Sequence, residues 1–157
     1  MELELQANAK INLSLDVIGM RDDGYHDLDG VMQEIALHDT LDIENGRGGF
    51  VLFCNHPNLK LDENNLIYRA WSALRDRVED DSVIIELKKE IPLSAGLGGG
   101  SADAAATLVG LNRLWNLGLT EFLAQDFTHR GLIHHACRAR LMVQTHPIER
   151  AHFAVSA

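Results

Sequence analysis

Pro92-Leu93-Ser94-Ala95-Gly96-Leu97-Gly98-Gly99-Gly100-Ser101-Ala102-Asp103-Ala104-Ala105 is the stretch on which the reading of this sequence turns. It follows a β-branched run, Val83-Ile84-Ile85-Glu86-Leu87, that reads as a strand closed by Pro92. It opens into an alanine-rich segment, 101–117, that reads as a helix with Leu108, Leu111 and Trp115 on one stripe and Gly118 as its stop. Four glycines within five positions let the backbone come close to a ligand and adopt conformations closed to other residues. At the start of a helix, such a run aims unpaired N–H groups and the positive end of the helix dipole at one spot, which suits phosphate. The bland alternative is a flexible turn with Ser101 as an ordinary helix cap. Two familiar phosphate motifs fail: a Walker loop ends in Gly-Lys-Ser/Thr, but Ser101-Ala102 follows Gly100, and a dinucleotide fingerprint wants a third glycine where Ser101 stands.

Outward from the loop, the first ninety residues read mainly as strands. Ile11, Leu13, Leu15 and Val17 alternate with polar residues, predicting a strand with one apolar face. The polar run from Met20 to Asp27 reads as a loop. Val31, Gln33, Ile35 and Leu37 suggest a second strand, Leu41 to Glu44 a third, and Phe50 to Cys54 a fourth, together a plausible antiparallel meander. Leu66, Ala70, Ala73, Leu74 and Val78 recur at helical spacing after Asn64-Asn65, either of which could cap the start. Strands with two interspersed helices predict an α+β domain.

Composition sets the outer bounds. The 157 residues are 46% apolar and 24% charged, ordinary for one globular core. No apolar run approaches the roughly 18–20 residues of a membrane span, and MELELQANAK lacks the layout of a signal peptide. Cys54 and Cys137 stand far apart without a C-x-x-C pattern, which fits reduced thiols and a cytoplasmic location. A net charge of −9 argues against a surface that tracks nucleic-acid phosphates. The charge is uneven: residues 1–118 hold 10 Lys/Arg against 20 Asp/Glu, whereas 119–157 hold 4 against 3, with five of the eight histidines and one of the thirteen glycines.

The glycine segment resembles the signature loop of the GHMP kinases. Ala9-Lys10-Ile11-Asn12-Leu13, then Arg21-Asp22-Asp23-Gly24-Tyr25-His26, is similar to the branch that phosphorylates a cytidine-diphosphate-linked methylerythritol. Glu63-Asn64-Asn65-Leu66-Ile67 and Leu111-Asn112-Arg113-Leu114-Trp115 fit the same family, so the likeness covers about residues 5–119. It implies a ribosomal-protein-like α+β fold, the family's N-terminal ATP-binding domain over residues 1–119, with the second, ferredoxin-like domain absent. It also implies ATP and Mg²⁺ as cofactors, a small-molecule substrate, and no nucleic-acid or membrane partner. Pro92, Gly96, Leu97, Gly98, Gly99, Gly100 and Ser101 would cradle the ATP phosphates, with Asn65, Leu66 and Lys89 near the adenine. Lys10 would be catalytic, facing the substrate hydroxyl with Asn12, while Tyr25 and His26 would hold the cytosine.

Residue types agree with these roles. Phosphoryl transfer is mostly positioning and charge neutralisation; a lysine supplies a point charge, and an aromatic beside a histidine can stack on a base and read its edge. Taken singly, Lys10 in a strand or Tyr25-His26 in a polar loop has a bland reading as a solvated residue, and Asp103 one as a charge answering the helix dipole.

The resemblance breaks after Leu119. The family's Gly-Ala-Asp-Val-Pro segment, whose aspartate is the expected base, is replaced here by Gln125-Asp126-Phe127-Thr128-His129-Arg130-Gly131. Residues 120–157 are therefore expected to be a divergent tail, frameshifted near residue 125 or truncated, that packs loosely or frays. A genuine short variant with a His-rich end is the alternative. No metal site is read from His129, His134 and His135, because adjacent histidines rarely share one ion. Within enzymes, another GHMP substrate is the alternative to the cytidine compound; outside transfer chemistry, a catalytically inactive nucleotide-binding fragment is.

Overall fold

A computed structural model of the chain describes residues 2–20, 22, 25–119 and 149–156, with Tyr25 and 149–156 described for their backbone only. Among the described residues five strands and two α-helices follow in the order β1 (Glu2–Met20), β2 (Tyr25–Asn45), β3 (Phe50–Cys54), α1 (Leu66–Leu74, continued by a 3-10 turn at Arg75–Arg77), β4 (Val83–Lys88), α2 (Gly99–Leu114) and β5 (Glu149–Ser156). The sheet runs β1-β2-β4-β3, with β5 paired to β2. The α+β expectation holds, but the simple meander does not. β3 skips β2 and lies parallel to β4, because the chain first crosses over through α1 before returning as β4.

Strand alternation builds the core row by row. Leu5, Leu41, Leu87 and Cys54 stand opposite one another across four strands, and Leu3, Ile43, Ile85 and Leu52 form the neighbouring row. Both rows point to the face covered by the two helices, and Leu41, Ile43, Ile85 and Leu87 are fully buried there. The next row is Ala7 opposite Asp39, where the apolar pattern stops and a buried carboxylate takes its place.

The helices are set by local chemistry. Asn65 caps α1, its Oδ1 accepting the Ile67 N–H at 2.9 Å. Ile67, Ala70, Trp71 and Leu74 face inward, and Trp71 packs with Phe50 and Tyr68 at ring-centroid distances of 5.0 and 5.3 Å. α2 lies so close to the sheet at Gly110 that a Cβ there would stand 2.5 Å from Ile43 Cδ1 and 2.8 Å from Leu5 Cδ1. Its end comes earlier than expected. Asn116 takes a left-handed conformation at φ 51°, and the Leu117 N–H returns to the Asn112 carbonyl at 3.0 Å, so Asn116 rather than Gly118 stops the helix.

Two further expectations are corrected. β1 begins at Glu2 and β2 runs unbroken through the predicted second and third strands, so the two form one long antiparallel ribbon with register shifts at Asn8/Lys10, Asn12/Ser14 and Val17/Gly19. The apolar alternation from Leu13 to Val17 does not face the core. Leu13, Leu15 and Val17 are 55, 45 and 63% exposed, because the helices cover only the earlier rows and this half of the ribbon extends past them. Of the tail, expected to pack loosely or fray, residues 149–156 form β5, which pairs with β2 from Tyr25↔Ser156 to Met32↔Glu149; residues 120–148, with His129, His134 and His135, lie outside the described residues.

Leu111 of α2 is fully buried in the core. Leu111→Ala is expected to lower unfolding free energy by about 2–5 kcal/mol, the cost of lost transfer plus an unfilled cavity, measured by urea denaturation.

Candidate functional site

The glycine loop is positioned from both sides. β1 reaches it through Lys10, whose backbone N–H donates to the Leu97 carbonyl at 2.9 Å. The same residue's Nζ donates to the Gly96 carbonyl at 2.9 Å and to Asn12 Oδ1 at 3.3 Å. Lys10 therefore stands on the loop with its stem against Gly98, where a Cβ would lie 3.2 Å from Lys10 Cγ and 3.3 Å from Cε. Gly98 is also at φ 77°, so close approach and backbone conformation both require glycine there. Leu66 closes the other side, its Cδ1 3.5 Å from where a Cβ on Gly100 would sit.

α2 begins at Gly99 with Gly98 as its cap residue, and no side chain caps that end. Ser101, the alternative cap, is the third residue of the helix. The first-turn amides thus have no side-chain acceptor among the described residues, the arrangement that favours an anion. Gly96, at φ 73°, faces open space: a Cβ there would meet nothing within 4 Å. Pro92 and Gly96 are exposed, leaving the mouth of the loop open.

Beneath the loop lies an arrangement that no motif announced. Lys89 is buried, and its Nζ is ion-paired with Asp39 and, at 3.2 Å, with Asp103 Oδ2. Asp39 Oδ1 also accepts the backbone N–H groups of Glu90 at 2.6 Å and Ile91 at 2.8 Å. Asp103 Oδ1 is buried without a hydrogen-bond partner. Burial pushes the Asp103 carboxyl up to about 8; neighbouring Asp39 pushes the same way, and Lys89 opposes both. Asp103 is the fifth residue of α2 and pairs with a lysine, so it is not a first-turn charge answering the dipole.

The structure sorts the sequence-derived residues. Lys10, Asn12, Gly96, Leu97 and Gly98 meet, and Leu66 flanks Gly100. Lys89, expected near the adenine, has its ammonium enclosed under Gly99 by two carboxylates. Asn65 spends its side chain locally, with Oδ1 on Ile67 and Nδ2 donating to the Lys60 carbonyl at 2.7 Å. His26 pairs with Met20 at the far end of the ribbon, eight residues of β1 beyond Asn12, on the order of 25 Å along an extended strand. Tyr25 begins β2 beside it, its side chain outside the described residues. Asp39 and Asp103 were missed as site residues; the only trace in the sequence is a carboxylate interrupting each apolar pattern.

With this geometry in place, comparison with known proteins is decisive. A family model described as the GHMP kinases N terminal domain matches residues 65–136. A 4-diphosphocytidyl-2-C-methyl-D-erythritol kinase of Caldanaerobacter subterraneus subsp. tengcongensis is 50% identical over 123 residues, covering 77% of this chain and 42% of the relative. The chain belongs to the GHMP kinase family. A kinase of the same name from Synechococcus sp. is 49% identical over 117 residues, 74% of this chain and 38% of the relative. Among solved structures, a 4-(cytidine 5'-diphospho)-2C-methyl-D-erythritol kinase superposes with a TM-score of 0.70 at 32% identity, covering 96% of this chain and 52% of that one. The mevalonate kinase of Methanococcus jannaschii, at TM-score 0.67 and 15% identity, covers 100% of this chain and 56% of that one and shares the GHMP fold. The chain thus spans about two fifths of the length of the curated relatives it matches. Among the described residues no helix is long and apolar enough to cross a membrane.

Because the folded pKa of Asp103 stands above the free-aspartate value of 3.8, the native state keeps a proton that the unfolded chain releases. This contribution is complete below about pH 4 and is lost as pH rises toward about 8. Asp103→Asn is expected to remove that loss, so that the variant gains on the parent between pH 4 and 8 and the gap is constant above; urea titrations across this range measure it.

Proposed function

We propose that the glycine loop and Lys10 form the phosphoryl-transfer end of an ATP-dependent kinase acting on the 2-hydroxyl of 4-diphosphocytidyl-2-C-methyl-D-erythritol, in the non-mevalonate route to isoprenoids in the cytoplasm. One observation carries the reading: Lys10 is tied to the loop twice, through its backbone N–H to Leu97 and through its Nζ to Gly96. The relatives at 49–50% identity that carry this name support the choice of substrate. Residues 1–119 would be the ATP-binding unit and 120–157 a divergent tail.

The residues fit a nucleoside triphosphate. The uncapped first-turn amides of α2 would bind its phosphate oxygens, and the glycines leave room for that approach. Among the described residues no three His, Cys, Asp or Glu side chains converge to hold a metal, so Mg²⁺ would arrive on the nucleotide rather than in a protein cage. ATP when bound supplies the γ-phosphoryl group, and Mg²⁺ neutralises its oxygens. Lys10 would set a positive charge beside the loop, where charge builds up on the transferring group, and Asn12 would orient the accepting hydroxyl. Tyr25 and His26, at the far end of the ribbon, take the cytosine on the strength of the family resemblance rather than of contact.

A second reading, nucleotide binding without transfer, is favoured by the absence of a Gly-Ala-Asp-Val-Pro segment from the sequence after Leu119. Calorimetry with MgATP and a coupled kinase assay on the chain separate the two. Under the kinase reading, Lys10→Ala lowers turnover by at least about 100-fold, the scale for loss of a charge-stabilising group, while MgATP affinity changes far less. Turnover unchanged in Lys10→Ala overturns the role of Lys10; binding without turnover in the parent selects the second reading; no MgATP binding overturns both.

A further inference from the structure

The buried cluster under the loop has no part in the transfer step as described, yet it joins three of the segments that shape the phosphate cradle. Asp39 comes from β2, Lys89 from the exit of β4 and Asp103 from the second turn of α2. Asp39 fixes the main chain of Glu90 and Ile91, the residues that lead into Pro92 and the loop. Lys89 Nζ lies directly below Gly99, 2.8 Å from where a Cβ would stand. Gly99 is the first residue of α2, and its amide belongs to the cradle. Lys10, with its stem against Gly98, is a further charged group at the loop; Glu34 is its cross-strand partner, and Glu90 leads into the loop.

We propose that Asp39, Lys89 and Asp103 act as a buried positioning cluster that sets the geometry of the glycine loop, and through it phosphate affinity, according to whether Asp103 holds its proton. This rests on the kinase reading only for the phosphate part. With Asp103 protonated, one carboxylate balances one ammonium and the cluster is neutral. Loss of that proton leaves one uncompensated negative charge beneath the amides that grip phosphate. Interactions between charges at such distances in a protein interior are poorly screened, and the second carboxylate also draws Lys89 away from Asp39. Both effects loosen the cradle. Asp103 touches no reacting group in this account, so its role is positioning and not catalysis.

The test uses the full chain and its Asp103→Asn variant, which keeps the side chain's shape and holds the cluster neutral at every pH. Carbon-detected NMR follows the Asp103 carboxyl carbon and the carbonyl carbons of Gly98, Gly99 and Gly100 from about pH 6.5 to 9, a range that brackets the raised carboxyl. The loop carbons are expected to titrate with Asp103 in the parent and to stay flat in the variant. Calorimetry with tripolyphosphate and with MgADP is expected to show at least a tenfold loss of affinity across that range in the parent and less than a twofold change in the variant. Loop carbons that ignore Asp103, affinity that is flat with pH in the parent, or an equal loss in both proteins overturns the proposal. Loop carbons that follow Asp103 in a chain binding neither ligand at any pH uphold the cluster and overturn the kinase reading instead.

Discussion

An ammonium and two carboxylates removed from water at the point where the sheet hands over to a helix is a costly thing to build, and the rest of this domain is arranged around it. Desolvating each charge costs several kcal/mol unless partners replace the lost water. Here Asp39 recovers its hydrogen bonds from Lys89 and from two main-chain N–H groups, whereas Asp103 keeps one oxygen unpartnered. Replacing such a cluster by apolar residues of similar volume is often neutral or stabilising, so stability alone does not account for its presence. What the cluster does that a leucine could not is fix directions. It ties the exit of β4 to the end of the apolar rows of β2, and it holds the second turn of α2 above them.

That fixing has consequences for which residues can occupy the loop. Gly99 is confined by Lys89 Nζ below and by Ile91 Cγ2, 2.9 Å from a would-be Cβ. Gly98 is confined by the Lys10 stem and by its left-handed φ. The glycine run is thus pressed from beneath by one lysine and from the side by another. Further along α2, Gly110 admits Ile43 and Leu5, so the helix lies close on the sheet along much of its length. Close packing of the helix and rigidity of the cradle are one property seen at two points.

How much of this was readable in the sequence depends on how local the cause was. β3, β4, the start of α1 and the glycine-to-helix transition each have their cause within a few residues, and each was legible. The faces of β1 were not. Leu13, Leu15 and Val17 give one clean alternation, but burial goes to Leu5, Ala7 and Ala9, which alternate as cleanly with Glu4, Gln6 and Asn8 on smaller side chains. The alternation says only that two faces differ; which stretch the helices cover is decided by chain that folds over it from residue 66 onward. The parallel placement of β3 on β4 has the same non-local origin. In the site, Lys10 and Asn12 were legible through resemblance, while the enclosure of Lys89 was not. Nothing nearby in sequence shows that Asp39 and Asp103, fifty residues up the chain and fourteen down, converge on it.

Gripping a phosphate and transferring it make separate demands, and the described residues meet them unequally. On the proposed reading, the grip needs amides free of a side-chain cap, room for a close approach and a nearby cation, which α2, the loop and Lys10 would supply. Transfer to an alcohol also needs a place for the hydroxyl proton to go. Among the described residues, the hydrogen-bond partners of Lys10 are an amide oxygen and main-chain carbonyls, none of them a proton acceptor of useful basicity. Asp103 has a pKa raised into a suitable range, but it is buried against Lys89 beneath Gly99, enclosed from a substrate hydroxyl. Its proton can act on the reaction only through the shape and charge of the loop, so nucleotide affinity and not the transfer step is where its ionisation should register.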